Sequence, residues 1–420
     1  MTATPSPSGG GRSARLIFRH RDFRLFLLFR FAANTAYLMQ TVAIGWQVYD
    51  ITHDPTYLGL VGLTLFLPKI LLSLAAGHVA DRFDRRHVVL ACLGMEAVAA
   101  LLLFSFSRLG MDRVGPVYAI LILYAVARTF LGPSLQSLLP SLVPKEDFPT
   151  AVAWSSSTFQ VATMAGPAIG GLLYAFGPHV VYGTVGAATL FAMLGVAAIT
   201  PRPVKRAPGG AAPTLDSVLA GVRFIRSKPI ILGAISLDLF AVLFGGATAL
   251  LPVYARDILA VGPWGLGLLR SAPAVGAALC GFWLAHRPLQ RRAGRIMFGC
   301  VGGFGLATVV FGLSTNLFLS LAALCALGAC DMVSVYVRQS LVQLGTPDAM
   351  RGRVSAVNMV FIGASNELGE FESGITAGWF GTVPAVVLGG LGTLLVVVIW
   401  CLRFTDLRRV NRLDQTQAAE

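Results

Sequence analysis

Four polar side chains stand within seven residues of one apolar run: Asn366, Glu367, Glu370 and Glu372. On a helix Glu367 and Glu370 are one turn apart and share a face, while Glu372 projects about 200° from Glu370. Two carboxylates that close in a low dielectric resist joint ionisation, so one of them should hold a proton more tightly than usual. That is the chemistry of a group that takes up and releases protons. Glu370 is the first choice for it and Glu367 the second. Glu372 is expected to pair with a neighbouring cation.

Other ionisable groups sit alone in apolar runs. Asp238 is the next proton candidate. Asp331 and Arg338 are seven residues apart, two turns on one helix face, so they join one polar network. Asp331 is a proton candidate too, with partnership to Arg338 or Arg270 as the plainer reading. Arg30, Lys69, Glu96, Arg128 and Arg270 complete a set of five basic and six acidic groups, close enough to balance that structural pairing competes with function for each. Asn34, Tyr37, Gln40, Lys69, Arg128, Arg338, Asn366 and Glu372 are the candidate cavity or substrate residues; Trp46, Gln160 and Asn358 are weaker ones.

The elements that hold these groups follow from composition. Of 420 residues 55% are hydrophobic and 13% charged, with a mean hydropathy of +0.71. Soluble domains carry roughly twice that charge, so lipid is the solvent. A helix needs about 20 apolar residues to cross the hydrocarbon, and its backbone must be satisfied internally. Twelve such spans fall near 23–49, 57–80, 87–107, 116–139, 151–176, 180–199, 230–254, 263–285, 295–313, 317–343, 353–379 and 383–402. Charges at mid-span cost at least about 2.5–3.5 kcal/mol, so they face a cavity or a partner.

Of the 33 Lys and Arg residues, 25 fall on the side holding both termini, 3 on the other and 5 within spans. This places both termini in the cytoplasm. It also accounts for a net charge of +13 without nucleic acid. Residues 1–20 read as a disordered basic N-terminus, 21–200 as one six-helix bundle, 201–228 as a cytoplasmic linker with an amphipathic helix, 229–404 as a second bundle and 405–420 as a cytoplasmic tail. The six cysteines lie in or beside apolar runs without metal-ligand spacing and read as small packing residues. No metal or cofactor is expected.

The two halves repeat at an offset of 203 residues. Gln136-Ser137-Leu138 returns as Gln339-Ser340-Leu341, and Gly166 and Gly171 return as Gly369 and Gly374. Paired halves with a site between them are a transporter arrangement. Gly77-His-Val-Ala-Asp81-Arg82-Phe-Asp-Arg85-Arg86 between spans 2 and 3 resembles the signature loop of the major facilitator superfamily. Arg128 with Gly132 resembles its second motif, and Gly166-Pro167 with Gly170-Gly171 the motif of its exporters. Arg21-Asp22-Phe23-Arg24 and Gly45-Trp46-Gln47-Val48-Tyr49-Asp50 are similar to the branch that holds the enterobactin exporter and macrolide-type drug exporters.

The resemblance implies an all-α fold of twelve transmembrane helices in two pseudo-symmetric six-helix bundles. It implies a secondary transporter, not an enzyme, in the bacterial inner membrane as a monomer, exporting a small amphipathic organic molecule against protons by alternating access. In this fold spans 2 and 11 meet, so Lys69 should approach a span 11 glutamate or an anionic substrate group. Asp81 should face the positive N-terminal end of span 11, forming with Gly77, Arg82, Arg85 and Arg86 a latch that opens as the halves rock. Gly166, Pro167, Gly170, Gly171, Gly369 and Gly374 should allow the close helix contacts of that motion. Span 1 lacks the acid that many proton-driven drug exporters place there, which moves the proton site to the second half. Lysophospholipid flipping and a non-transporting sensor are the alternative functions.

Overall fold

The computed structural model describes residues 17–110, 113–200, 215–287, 289 and 291–411. The side chains of 81, 145, 215–218, 348 and 349 lie outside that description. The expected disordered N-terminus, most of the linker and the end of the tail therefore fall largely outside the described residues, and so does the Asp81 carboxyl.

Twelve long helices occur among the described residues: α1 Arg21–Thr52, α2 Pro55–Arg82, α3 Arg85–Arg108, α4 Gly115–Leu138, α5 Phe148–Tyr174, α6 Pro178–Ala197, α7 Pro229–Ile258, α8 Gly262–His286, α9 Ala293–Leu313, α10 Leu317–Leu344, α11 Asp348–Phe380 and α12 Thr382–Arg403. Nine of them are long and apolar enough to cross a membrane. The other three, α1, α5 and α11, carry more polar residues. In α1 these turn inward, with Asn34, Gln40 and Gln47 all buried. Large apolar side chains such as Leu101, Leu194, Leu313 and Leu395 face outward instead, as lipid requires. This is a multi-pass all-α membrane protein.

Helix ends follow local chemistry. Asp54 caps α2 by accepting a hydrogen bond from Thr56 N at 2.8 Å, and Pro55 opens the helix where its missing N–H costs nothing. α7 breaks at Gly245-Gly246, continues through a 3-10 turn and ends in a π-helical turn at Tyr254–Ile258. A Cβ on Gly246 would run into the Gly369 carbonyl, so the break admits α11 at close range.

The packing repeats. In the first half α1 lies on α5 and α6, α3 on α4 and α6, and α2 on α4. In the second half α7 lies on α11 and α12, α9 on α10 and α12, and α8 on α10. Adding six to each helix number turns one set into the other, so the bundles are pseudo-symmetric. The two main contacts between the halves, α2 with α11 and α5 with α8, are images of each other. A helix at Leu215–Ser227 packs against α11, with Gly221 beneath the Arg353 carbonyl.

Candidate functional site

The end of the molecule holding Ile17 and Asn411 is termed proximal and the opposite end distal. Both junctions close at their distal ends through glycine. A Cβ on Gly171 of α5 would stand 2.5 Å from Pro263 O and 2.7 Å from Gly267 Cα of α8. In α2, Gly59 packs on Phe371 and Gly374 of α11, and Gly62 packs on Glu367 and Glu370. Gly166 and Gly170 set α5 on Thr35, Leu38 and Met39 of α1, and Gly369 sets α11 on Val242 and Leu243 of α7. Pro167 presents its carbonyl to Gly267. Small residues thus let backbones touch where side chains would hold them apart.

The distal seal has a polar rim absent from the sequence reading. Tyr49 at the end of α1 donates its hydroxyl to Asp257, and Arg256 pairs with Asp50, across the two halves. The only signal was the position of these charges at span ends.

Proximal to the glycine contacts α2 and α11 part. A cavity of about 570 Å³ fills the gap, within the usual range for small-molecule sites. Its first-half wall includes Tyr37, Lys69, Ser73, Gly77, Arg128 and Gln136; its second-half wall includes Ala356, Met359, Val360 and Glu367. Lys69 Nζ donates to Glu367 Oε1 at 2.7 Å across the junction, and the lysine is half exposed. Glu370, one turn on, lies 3.9 Å from Arg270 of α8. Arg128 stacks over the Tyr37 ring at 4.0 Å and pairs with the buried Glu96 at 3.5 Å. The cavity thus has aromatic and apolar walls, one accessible ion pair and one guanidinium whose charge is met from behind.

Other candidates lie elsewhere. Arg338 is buried in the second bundle, 3.2 Å from Asp238 and bonded to Asn358 at 3.1 Å, not in the large cavity. Asp331 pairs with neither Arg338 nor Arg270, because Asp238 and Glu370 take those cations. Glu372 accepts hydrogen bonds from Thr376 and Ser373 and has no ion pair among the described residues, which corrects the expected cation partner. Asn366 is exposed and donates to Ile362 O of its own helix at 2.9 Å. Asn34 and Gln40 are buried inside α1, and Gln40 Nε2 finds no partner.

Of the expected latch, the Asp81 side chain lies outside the description, and Arg85 and Arg86 make contacts within the first half. Arg85 donates to Ser137 O at the end of α4, and Arg86 to Ala197 O at the end of α6. Both satisfy helix C-terminal carbonyls within the first half, where cations are favoured. The cavity separates Gly77 from this end of α11.

Comparison with known proteins adds the following. A family described as transmembrane secretion effector matches residues 13–420. The enterobactin exporters EntS of Shigella boydii and Escherichia coli are 28% identical over 412 residues, covering 94% of this chain and 95% of theirs. Among solved structures, a bacterial homolog of the human lysosomal transporter Spinster, in an inward-facing and occupied conformation, aligns with a TM-score of 0.72 at 13% identity, over 93% of this chain and 97% of that one. The nucleoside transporter NupG aligns with a TM-score of 0.70 at 13% identity, over 91% and 99%. Both likenesses concern the fold.

Proposed function

This chain belongs to the transmembrane secretion effector family of the major facilitator superfamily, and we propose that it exports a small amphipathic organic molecule, siderophore- or drug-like, in exchange for protons. The protein resides in the bacterial inner membrane with both termini, and hence the proximal cavity, facing the cytoplasm. Alternating access closes the α2 and α11 walls over the cargo as the distal glycine contacts and the Tyr49–Asp257 and Asp50–Arg256 links give way.

The observation that carries this reading is the Lys69–Glu367 pair in the cavity wall at the junction of the two bundles. Proton arrival at Glu367 abolishes its charge and frees Lys69; departure restores the pair. Cargo rests on the aromatic and apolar walls, and the bundles rock with either cargo or a proton aboard but never both, so the two move in opposite directions. Glu370, held loosely by Arg270 at 3.9 Å, is the next acceptor on the same helix face. The relatives named as enterobactin exporters support a cargo of siderophore class.

Proteoliposomes with an internal pH dye test it. Catecholate siderophores, macrolides and amphipathic dyes are added in turn under an imposed proton gradient. At least one should drive proton movement opposite to its own, and Glu367→Gln should abolish that flux while compound binding persists. Binding with no flux for any compound in wild-type protein would instead support the sensor.

A further inference from the structure

The first-half wall of the large cavity carries a positive charge that nothing in the chain matches. Arg128 borders the cavity and meets the buried Glu96 of α3 at 3.5 Å. Arg30 of α1 stands within electrostatic reach of Arg128. It has no ion-pair partner among the described residues, and its buried Nε makes no hydrogen bond. Its guanidinium rests only over the Phe26 ring, at 5.7 Å. Arg30 precedes the cavity-lining Tyr37 by two helical turns, so the two share a face of α1.

The other charges around the cavity do not offset it. Lys69 of α2 is held by Glu367 of α11 at 2.7 Å, Arg270 of α8 stands by Glu370, and Glu96 serves Arg128. Arg30 is left over. An unmatched charge within a membrane span is costly unless a cavity or a partner meets it. The fold does not impose that cost. The 203-residue offset places Gly233 at the position of Arg30 and Asp331 at that of Arg128, so the second bundle builds the same helices without either cation.

We propose that the cargo carries an acidic group, which Arg128 binds while Arg30 supplies the unmatched charge. A guanidinium fork suits the paired oxygens of a carboxylate or a similar planar oxyanion. Tyr37, Leu65, Phe66 and Ile70 offer the apolar body of the same molecule a place beside it. Lys69 stays with Glu367, so the acid boards while the proton site is empty, as exchange requires. This names the substrate class of the proposed exporter and rests on that reading of the cavity.

Calorimetric titration of the full-length protein in phosphatidylcholine nanodiscs tests it, with 2-naphthoate and its neutral isostere 2-naphthamide as probes. Wild type should bind the acid about tenfold more tightly than the amide. Arg30→Gln should bring the two affinities within about twofold by weakening the acid alone, and Arg30→Lys should keep most of the preference. Lys69→Met with Glu367→Gln removes the proton site and should keep the preference too. A merely structural role would lower the Tm of Arg30→Gln and leave the preference intact, which overturns the proposal. Equal affinities in wild type, or no binding of either probe, overturn it as well. If Arg30→Gln does not fold, Arg128→Lys decides: it keeps the charge, loses the fork and should weaken the acid alone, and an unchanged preference there overturns the site. Acid binding without proton flux would sink the exchange and leave this site standing. Flux driven only by uncharged or cationic compounds would do the reverse.

Discussion

The two junctions between the bundles share a geometry and differ in chemistry. At α5 and α8 the contact is glycine on glycine, Gly171 with Gly267, and the deepest polar contact is Gln160 donating to Ala274 O at 3.4 Å. At α2 and α11 the same glycine contact, Gly59 with Gly374, is followed by Lys69, Glu367 and Glu370. Gly171 and Gly374 are related by the repeat offset. Pseudo-symmetry therefore fixes how closely the halves approach, while an ion pair between the two facing helices occurs at α2 and α11 alone among the described residues. On the proposed exchange both seams are hinges, and the proton is handled at only one of them.

The largest expected effect strikes what the seams share. Gly171→Leu and Gly374→Leu each drive a side chain into facing backbone, which cannot yield as a side chain can. Overpacking of this kind costs about 1–3 kcal/mol, all of it against the distally closed state. Both variants should reduce compound-driven proton flux below about a tenth of wild type and should raise thiol labelling of a cysteine placed at the distal end. If one seam tolerates leucine and the other does not, the seams are not mechanical equivalents.

The next effect should separate them. Lys69→Met leaves Glu367 in the cavity wall without its cation, and flux should fall about tenfold or more. Gln160→Leu, at the silent seam, should cost less than about twofold. Lys69→Met with Glu367→Gln should recover thermal stability lost in the single variant but no flux, since the exchanging group is gone. Full flux in Lys69→Met would make the pair a structural one and erase the contrast.

The distal rim yields a smaller effect. Arg256→Gln removes an exposed pair with Asp50, worth about 0.2–1 kcal/mol. That shifts the balance of distally open and closed forms by about fivefold at most, visible as faster distal thiol labelling with flux retained. No change in labelling would place the whole seal in the glycines.

Much of this was legible in the residues. Twelve apolar runs gave the spans because lipid permits little else, and every helix end falls within five residues of expectation. α7 runs on to Ile258 because a 3-10 and a π turn extend it past its apolar centre. The approach of α2 to α11, implied by family resemblance, put Lys69 beside Glu367. What could not be read was choice among partners. Arg338 had Asp331 two turns away on its own helix and took Asp238 from α7, since a buried guanidinium reaches across helices more easily than along one. Glu372, projecting away from Glu370, met hydroxyls of its own helix. Arg85 and Arg86 also serve helix carbonyls, a need every C-terminus has and no spacing reveals.

The last contrast between halves lies in the proximal loops that precede α3 and α9. Asp84 caps α3 by accepting from Arg86 N at 2.9 Å and His87 N at 3.2 Å. Its slight burial pushes the carboxyl up, but those amides and the His87 ring outweigh this and hold it below the ordinary carboxylate range. At α9 the N-cap is Arg292, with a left-handed φ of 59° and no side-chain cap; Asn411 from the tail accepts from its N–H at 2.9 Å instead. Asp84→Ala and Asn411→Ala should each cost about 1 kcal/mol at pH 7. A depressed folded pKa contributes stability that is present above the unfolded value and lost as pH falls through the folded one. The Asp84→Ala deficit should therefore shrink below about pH 4, while the Asn411→Ala deficit stays constant, as unfolding in detergent across that range would record. Equal pH responses would show that the first half's charged design ends at the membrane surface.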